Sequence, residues 1–415
     1  MRDLDRHVDL DMDLDVHGIA GGGDGVATAP DGRVVFVTGA IPGDRVRARL
    51  TEEKARFARG VVVEVLTPGE GRIEPPCPHV EEGCGGCGWQ HVDPAVQRAL
   101  KATIVTDALR RIGRIADAPD VGLGPELAAT GYRTTVRGLV AGGRFAFRRA
   151  ASHDPVGADG CLTAHPLVRE VIDAGRFQAA REVMVRAGVA TGERVVVLDP
   201  RLQGVTVPDG VTVAGKGEPA AVHEDVAGRR WRVSARSFFQ ARPDGAAALV
   251  DEVAAALAPH VGATTRLVDL YSGVGLFAGT IGAEVASVVA VEGDRSAVAD
   301  AKVNLADLGR RARVVHADVG RWQPNRADVV IADPSRAGLG ADVVGRIAAS
   351  GAHAVALVSC DPGAFGRDAG LLVAAGYGLR RVTSVDLFPQ TPHIEVVALF
   401  EQSADGPGSE QRASG

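Results

Sequence analysis

Short apolar runs separated by turn residues open the chain: VVFVTG, RVRARL and GVVVEVL alternate with GGGDG, APDG and IPGD between residues 14 and 67. Apolar and polar positions at a period of two, punctuated by glycine and proline, predict strands. Strands this short and evenly spaced close as a small β-barrel, assigned to 12–68. The next stretch, PPCPHVEEGCGGCGWQHV, reads as a loop, and AVQRALKATIVTDALRRIG behind it carries apolar residues at helical spacing. From about 130 to 240 the pattern is mixed. Strands are predicted over TTVRGLVAG, RFAFRR, RVVVLD and WRVSA, and a helix over PLVREVIDAGRFQAAREVMVRAG, which makes 69–240 an α+β middle domain. From about 245 strands and helices take turns through TRLVDLYSG, ASVVAVEGD, SAVADAKVNLADLG, ARVVHADV, ADVVIADP, ADVVGRIAA, AVALVSC and EVVALF. Such alternation specifies a doubly wound parallel α/β sheet over 241–402. Residues 403–415 are small, polar and Gly/Ser-rich, and read as a disordered tail.

Composition narrows the class. With 46% hydrophobic and 24% charged residues in 415, the chain has the balance of two or three globular domains. No run approaches the roughly 18 apolar residues of a membrane span. The opening MRDLDRHVDLDMDLD lacks the basic flank and apolar core of a secretory signal, so the expected compartment is the cytoplasm, without membrane association. A net charge of −6 excludes a basic field over the whole molecule, and any nucleic-acid site must come from local clusters. Two exist. Arg45, Arg47, Arg49, Lys54, Arg56 and Arg59 form one, and Arg133, Arg137, Arg144, Arg148 and Arg149, interleaved with Tyr132, Phe145 and Phe147, form the other. Each is either an RNA contact or a solvated face.

The last domain carries the chemistry. Strand RLVDL runs into Tyr271-Ser272-Gly273-Val274-Gly275 and then LFAGTIGA, in the order strand, glycine turn, helix. Glycines there let a ligand approach the backbone at the carboxyl edge of the sheet, although a plain tight turn has the same pattern. Glu292 ends the next strand, 23 residues after Asp269, near the spacing of a carboxylate that accepts ribose hydroxyls. Asp318, after RVVHA, is similarly placed for a base or ribose. The third glycine of the dinucleotide fingerprint is missing, which favours a nucleoside cofactor without pyrophosphate; S-adenosylmethionine fits best. Asp333 ends the fourth strand and Cys360 the fifth, so both face the same crevice. A strand cysteine is usually inert packing, but Cys360 stands at a strand-to-loop junction before Asp361-Pro362. Glu395 interrupts the apolar pattern of the final strand, as an edge solvation site or as a general base.

Five cysteines are too few for a disulfide scaffold in a chain this long. Cys77, Cys84 and Cys87 supply three thiolates from one loop, and Cys161 is a possible fourth ligand from the middle domain. Four thiolates suit Zn²⁺ or a [4Fe–4S] cluster equally in number. A close trio with one remote cysteine is more familiar from iron–sulfur sites than from paired zinc knuckles; four unrelated buried thiols is the remaining alternative.

Taken together, GIAGGGDGVATAPDGRVVFVTGAIPGDRVRARL, CPHVEEGCGGCGWQH with Cys161, the FFQ triplet ending at Gln240, DLYSGVGLFA, DPSRAG, SCDPGAFGRD and FPQTPHIE resemble, in order and from about 12 to 400, the bacterial RNA uracil-C5 methyltransferases that carry a TRAM domain and an iron–sulfur cluster. The resemblance implies a TRAM or OB-like barrel and a Rossmann-like class I methyltransferase domain. It implies that Gln240, Tyr271, Glu292 and Asp333 contact S-adenosylmethionine and that Cys77, Cys84, Cys87 and Cys161 hold a [4Fe–4S] cluster. It makes Cys360 the nucleophile and Glu395 the proton acceptor. The chain departs from the family at Ser335, where DPPR is usual, and at Asp361, where asparagine is usual; an acid beside the thiol is expected to raise its pKa or alter contacts to the uracil. The implied partner is RNA, ribosomal ahead of transfer RNA, acted on by a monomer to make 5-methyluridine. Two other classes compete: a non-catalytic RNA-binding protein, disfavoured by the presence of both Cys360 and Glu395, and a methyltransferase for small molecules or proteins, which would not need a thiol nucleophile.

Overall fold

The computed structural model describes residues 11–201 and 203–403, so the predicted tail lies outside the described residues except for Ser403. Strands Asp11–Ile19, Gly25–Thr28, Val34–Thr38, Arg45–Glu53 and Phe57–Thr67 close into a barrel. Leu14, Val16, Val35, Val37, Val46, Ala48 and Leu50 alternate into its core. The alternate positions decide the fate of the first arginine cluster. Asp11, Asp13 and Asp15 stand directly across from Arg49, Arg47 and Arg45, with ion pairs of 3.0 Å from Arg47 to Asp13 and from Arg49 to Asp11. Arg47 also reaches Glu64 at 2.7 Å. This face is largely self-neutralised, and much of the expected RNA cluster in the barrel is a solvated ion-pair ladder.

The middle domain is a six-stranded sheet in the order Val211–Gly215, Arg194–Asp199, Glu182–Ala187, Thr135–Ala141, Arg144–Arg148, Pro155–Gly157. The long helix predicted over PLVREVIDAGRFQAAREVMVRAG is not formed: helix Pro166–Ala174 stops at Gly175, and Glu182–Ala187 is a central strand. The Phe177 ring folds back onto Gly175, where a Cβ would stand 2.3 Å from its edge, so the helix ends there. Beyond it EVMVRA is covered on both faces, and such runs carry no period-two signature.

The C-terminal sheet has eight strands in the order Ala312–His316, Ser287–Glu292, Arg266–Leu270, Val329–Ala332, Ala354–Ser359, Val396–Gln402, Tyr377–Ser384, Val121–Leu123. The first five are parallel, but Val396–Gln402 runs antiparallel to both neighbours, so the expected all-parallel sheet is mixed. Only residues 385–395, without a helix, link Tyr377–Ser384 to Val396–Gln402. A parallel return needs a crossover of a dozen or more residues, so the chain comes back antiparallel. Two segments assigned by sequence to the middle domain pack here. Strand Val121–Leu123 forms the sheet edge, and the hairpin Ala221–Val226 with Arg229–Ser234 buries Trp231 in the C-terminal core. Helix Pro94–Arg111 likewise lies on helix Pro362–Ala374. The strand order reverses between Arg266–Leu270 and Val329–Ala332, which is where a doubly wound sheet opens its ligand crevice.

Three domains meet at one turn of the barrel. Gly23, with φ +91°, sits so close to the C-terminal domain that a Cβ would lie 2.4 Å from Pro392 Cβ and 2.7 Å from Trp89 Nε1. Its carbonyl accepts the Trp89 indole N–H at 3.0 Å.

Candidate active site

At the reversal point, Tyr271, Gly273 and Gly275 take positive φ values of 61°, 55° and 96°, turning the strand end sharply into the short helix Leu276–Gly279. Glu292 fixes this turn: its carboxylate accepts the Gly273 N–H at 2.9 Å and the Asp294 N–H at 2.6 Å. Asp269 is wholly buried in its strand, with one oxygen accepting the Ala278 N–H at 2.9 Å. Its other oxygen and the Ser272 hydroxyl have no partner among the described residues. Burial, together with Asp333 and Glu292, raises the Asp269 carboxyl well above the usual range. Burial likewise lifts Asp333 to about 7. Three mutually repelling carboxylates around one crevice are an environment for a cation. The sequence signal for Asp269 is an acid inside the apolar run RLVDL.

Tyr271, Glu292 and Asp333 therefore fall at the crevice edge. Gln240 is buried in a small cavity with Thr135, Arg186, Glu224 and Phe239. Three residues before it, the Ser237 hydroxyl bonds Ser296 at 3.0 Å and Asp300 at 2.6 Å, tying the segment to helix Arg295–Asn304 beyond Glu292. Asp318 accepts the Gly320 N–H at 2.8 Å at the outer strand's exit. Phe238 is 68% exposed.

The antiparallel strand supplies the decisive contact. Ser359 pairs with Val396, so Cys360, one residue past Ser359, and Glu395, one residue before Val396, become cross-strand neighbours. Glu395 is only 3% exposed, and burial with the nearby Asp333 raises its carboxyl well above the usual range. Burial, then Glu395 and Asp333, push the Cys360 thiol up to about 11, and Arg336 opposes them. Asp361, next to the thiol, is the N-cap of the following helix. Its Oδ1 accepts the Ala364 N–H at 2.8 Å and caps helix Pro362–Ala374, a role asparagine fills equally well and worth about 1 kcal/mol. His393 is held neutral, with its pKa lowered to about 4 by burial and then Arg336.

Cys77, Cys84, Cys87 and Cys161 all line one cavity of about 700 Å³, with Arg133, Arg137, Arg148 and Arg149 at its wall. Cys87 and Cys161 share the Thr163 hydroxyl, at 4.0 and 3.6 Å. None of the four is joined in a disulfide. Among the described residues no three His, Cys, Asp or Glu side chains close around a point as a single metal ion requires, and no helix is long and apolar enough to cross a membrane.

A crevice at the switch point of a doubly wound sheet is a ligand site, and here the chain joins it to a five-stranded barrel. Residues 238–355 match the methyltransferase small domain, and residues 12–63 match the TRAM domain. A Streptomyces avermitilis protein described as an uncharacterized RNA methyltransferase is 35% identical, over 95% of this chain and 99% of its own. The 23S rRNA (uracil(1939)-C(5))-methyltransferase RlmD of Pseudomonas putida is 31% identical, over 94% and 93%. The Pyrococcus abyssi tRNA (uracil-54, C5)-methyltransferase, solved with S-adenosyl-L-homocysteine, shares the fold with a TM-score of 0.73, at 21% identity over 94% of this chain and 100% of that one. The chain belongs to the family of TRAM-containing RNA methyltransferases.

Proposed function

We propose that this RNA methyltransferase methylates C5 of a uridine in 23S rRNA through a covalent adduct with Cys360. The observation that carries the reading is the cross-strand pair of Cys360 and Glu395 beside an acid-lined crevice. S-adenosylmethionine, when bound, supplies an electrophilic methyl group on a cationic sulfonium. The carboxylates of Asp269, Glu292 and Asp333 suit that charge, and Gln240 and Tyr271 complete the contacts expected for it. C5 of uracil is too weak a nucleophile to take a methyl group unaided. The Cys360 thiolate therefore adds to C6 and pushes electron density onto C5. Once C5 is methylated, its remaining proton passes to the Glu395 carboxylate, the electron pair forms the C5–C6 double bond, and the C6–S pair leaves with Cys360. The ribosomal assignment is supported by the RlmD relatives at 31% and 30% identity.

Because the resting thiol sits near 11, its thiolate fraction grows tenfold per pH unit below that value. A cation in the crevice stabilises the thiolate. Alkylation of Cys360 by iodoacetamide, read by mass spectrometry of its peptide, is expected to rise with pH and to shift to lower pH with S-adenosylmethionine, but less with uncharged S-adenosylhomocysteine. Equal profiles in both would count against a sulfonium beside the thiol.

The four cysteines are proposed as ligands of a [4Fe–4S] cluster. The proposal is supported by the four thiols lining one cavity and by the close trio with one remote cysteine in the sequence.

For RNA the reading rests on a track that starts at Arg137, in the second arginine cluster, and continues through Arg236 and Arg295, which the sequence did not mark. Arg137 lines both the cysteine cavity and a neighbouring depression of about 310 Å³ that also holds Arg236; Arg236 in turn lines a third, of about 530 Å³, with Arg295. None of the three forms an ion pair within the described residues, and all are exposed. Reversing Arg137, Arg236 and Arg295 together is expected to weaken RNA binding and to flatten its salt dependence by about 0.7 in log–log slope per lost phosphate contact. Arg47→Gln is expected to change neither. An unchanged slope in the triple variant removes the track.

The function itself is tested with 5-fluorouridine-substituted RNA and S-adenosylmethionine. Fluorine cannot leave as a proton, so the enzyme is expected to stall as a denaturation-resistant adduct that maps to one uridine of 23S rRNA. An enzyme that methylates unsubstituted RNA yet forms no adduct would overturn the mechanism.

A further inference from the structure

Glu395 ends an irregular segment, 385–395, that is nevertheless buried at Asp386, Leu387, Gln390, Thr391 and Ile394. Much of what holds that segment comes from helix Pro94–Arg111, outside the sheet that carries the nucleophile. Lys101 is fully buried and gives its Nζ to Asp386 Oδ1 at 2.6 Å and to the Phe388 carbonyl at 3.1 Å. Gln97, also fully buried, accepts the Gln390 N–H at 2.7 Å through Oε1. Its Nε2 donates to Gln390 Oε1 at 3.2 Å and to the carbonyls of Trp89 and Val92 at 3.1 and 2.8 Å. The Trp89 N–H closes the ring by donating to the Gln390 carbonyl at 2.9 Å. Gln390 has a φ of +68°, a conformation a non-glycine residue keeps only where its surroundings impose it.

A buried ion pair is seldom retained for stability alone, since apolar side chains of similar volume serve as well or better. Here it ends on the backbone of the segment that delivers the base. We infer that Gln97 and Lys101 are positioning residues for the proton acceptor: they fix residues 386–390 so that Glu395 meets the C5 proton in the elimination step. The inference rests on the uracil-C5 reading above. In that step the C5 proton goes to the Glu395 carboxylate and the Cys360 sulfur leaves C6. Addition and methyl transfer precede it and depend on Cys360, which belongs to a different strand. A displaced Glu395 thus slows elimination selectively.

The test uses full-length Gln97→Met and the double variant Lys101→Met/Asp386→Leu, which leaves no charge buried alone. Each is checked for folding by circular dichroism and incubated with S-adenosylmethionine and unsubstituted RNA, and the protein–RNA adduct is followed on denaturing gels. The expected result is adduct formation at the wild-type rate and decay about 10²-fold slower, as a misplacement of about 1 Å produces. Glu395→Gln, run alongside, is expected to accumulate the same adduct. A folded variant whose adduct decays at the wild-type rate overturns the inference, and so does one in which formation and decay slow together. If Gln97→Met does not fold, the double variant decides by the same readout. Absence of adduct in Glu395→Gln would instead assign Glu395 another task and remove the elimination step on which the inference stands.

Discussion

With alanine at position 360, methyl transfer into RNA is expected to fall by about 10⁴-fold or more while S-adenosylmethionine binding is unchanged. The size follows from the role. No other side chain at the crevice offers a soft nucleophile, and without addition at C6 the C5 carbon has too little electron density to attack a methyl group. The selectivity follows from position. Cys360 lies beyond the end of strand Ala354–Ser359, and the acid-lined crevice is built by Asp269, Glu292 and Asp333 from other strands. Transfer of a labelled methyl group, with calorimetry of cofactor binding, checks both halves. Activity within tenfold of wild type would point to a nucleophile-free methylation and to a substrate other than uracil C5.

The second large effect is Glu395→Gln. Turnover is expected to drop by 10²- to 10⁴-fold, the range of a lost general base, but by arrest after methyl transfer rather than before it. The electrostatics make the early steps easier. Glu395 is one of the groups that raise the Cys360 thiol, so a neutral amide there lowers its pKa and favours the thiolate. The expected result is a methylated RNA–protein adduct formed on ordinary RNA, with alkylation of Cys360 displaced to lower pH. Loss of turnover without any adduct would place the defect ahead of elimination and assign Glu395 another task.

How far the site was legible depends on how local each signal was. The glycine turn, Glu292 and the strand-end positions of Asp333 and Cys360 are visible because a doubly wound sheet assigns its strand ends to one edge. The direction of the last strand is not carried by its apolar pattern, and it was the count of residues between 385 and 395 that held the information. The apolar pattern alone accordingly leaves Glu395 ambiguous, while register sets it beside Cys360. Periodicity also failed at EVMVRA, where residues covered on both faces lose the alternation that separates strand from helix. The barrel arginines looked like an RNA patch because the acids that neutralise them are some thirty residues away and meet them only through strand register. Gln97 and Lys101 stand between the apolar residues of a predicted helix, and nothing local in the sequence shows that their side chains are buried against another domain. The cysteine trio was plain in sequence, whereas the arrival of Cys161 at the same cavity is a tertiary fact.

Gly23 gives the barrel a standing that its matched domain name does not convey. Its carbonyl holds the Trp89 indole, and its missing side chain makes room for Pro392, three residues before Glu395. Any side chain there would wedge apart the barrel, the cysteine loop and the segment that carries the base. The barrel is thus a keystone, and grafting a foreign one onto this enzyme requires matching a single bare turn before matching any other surface.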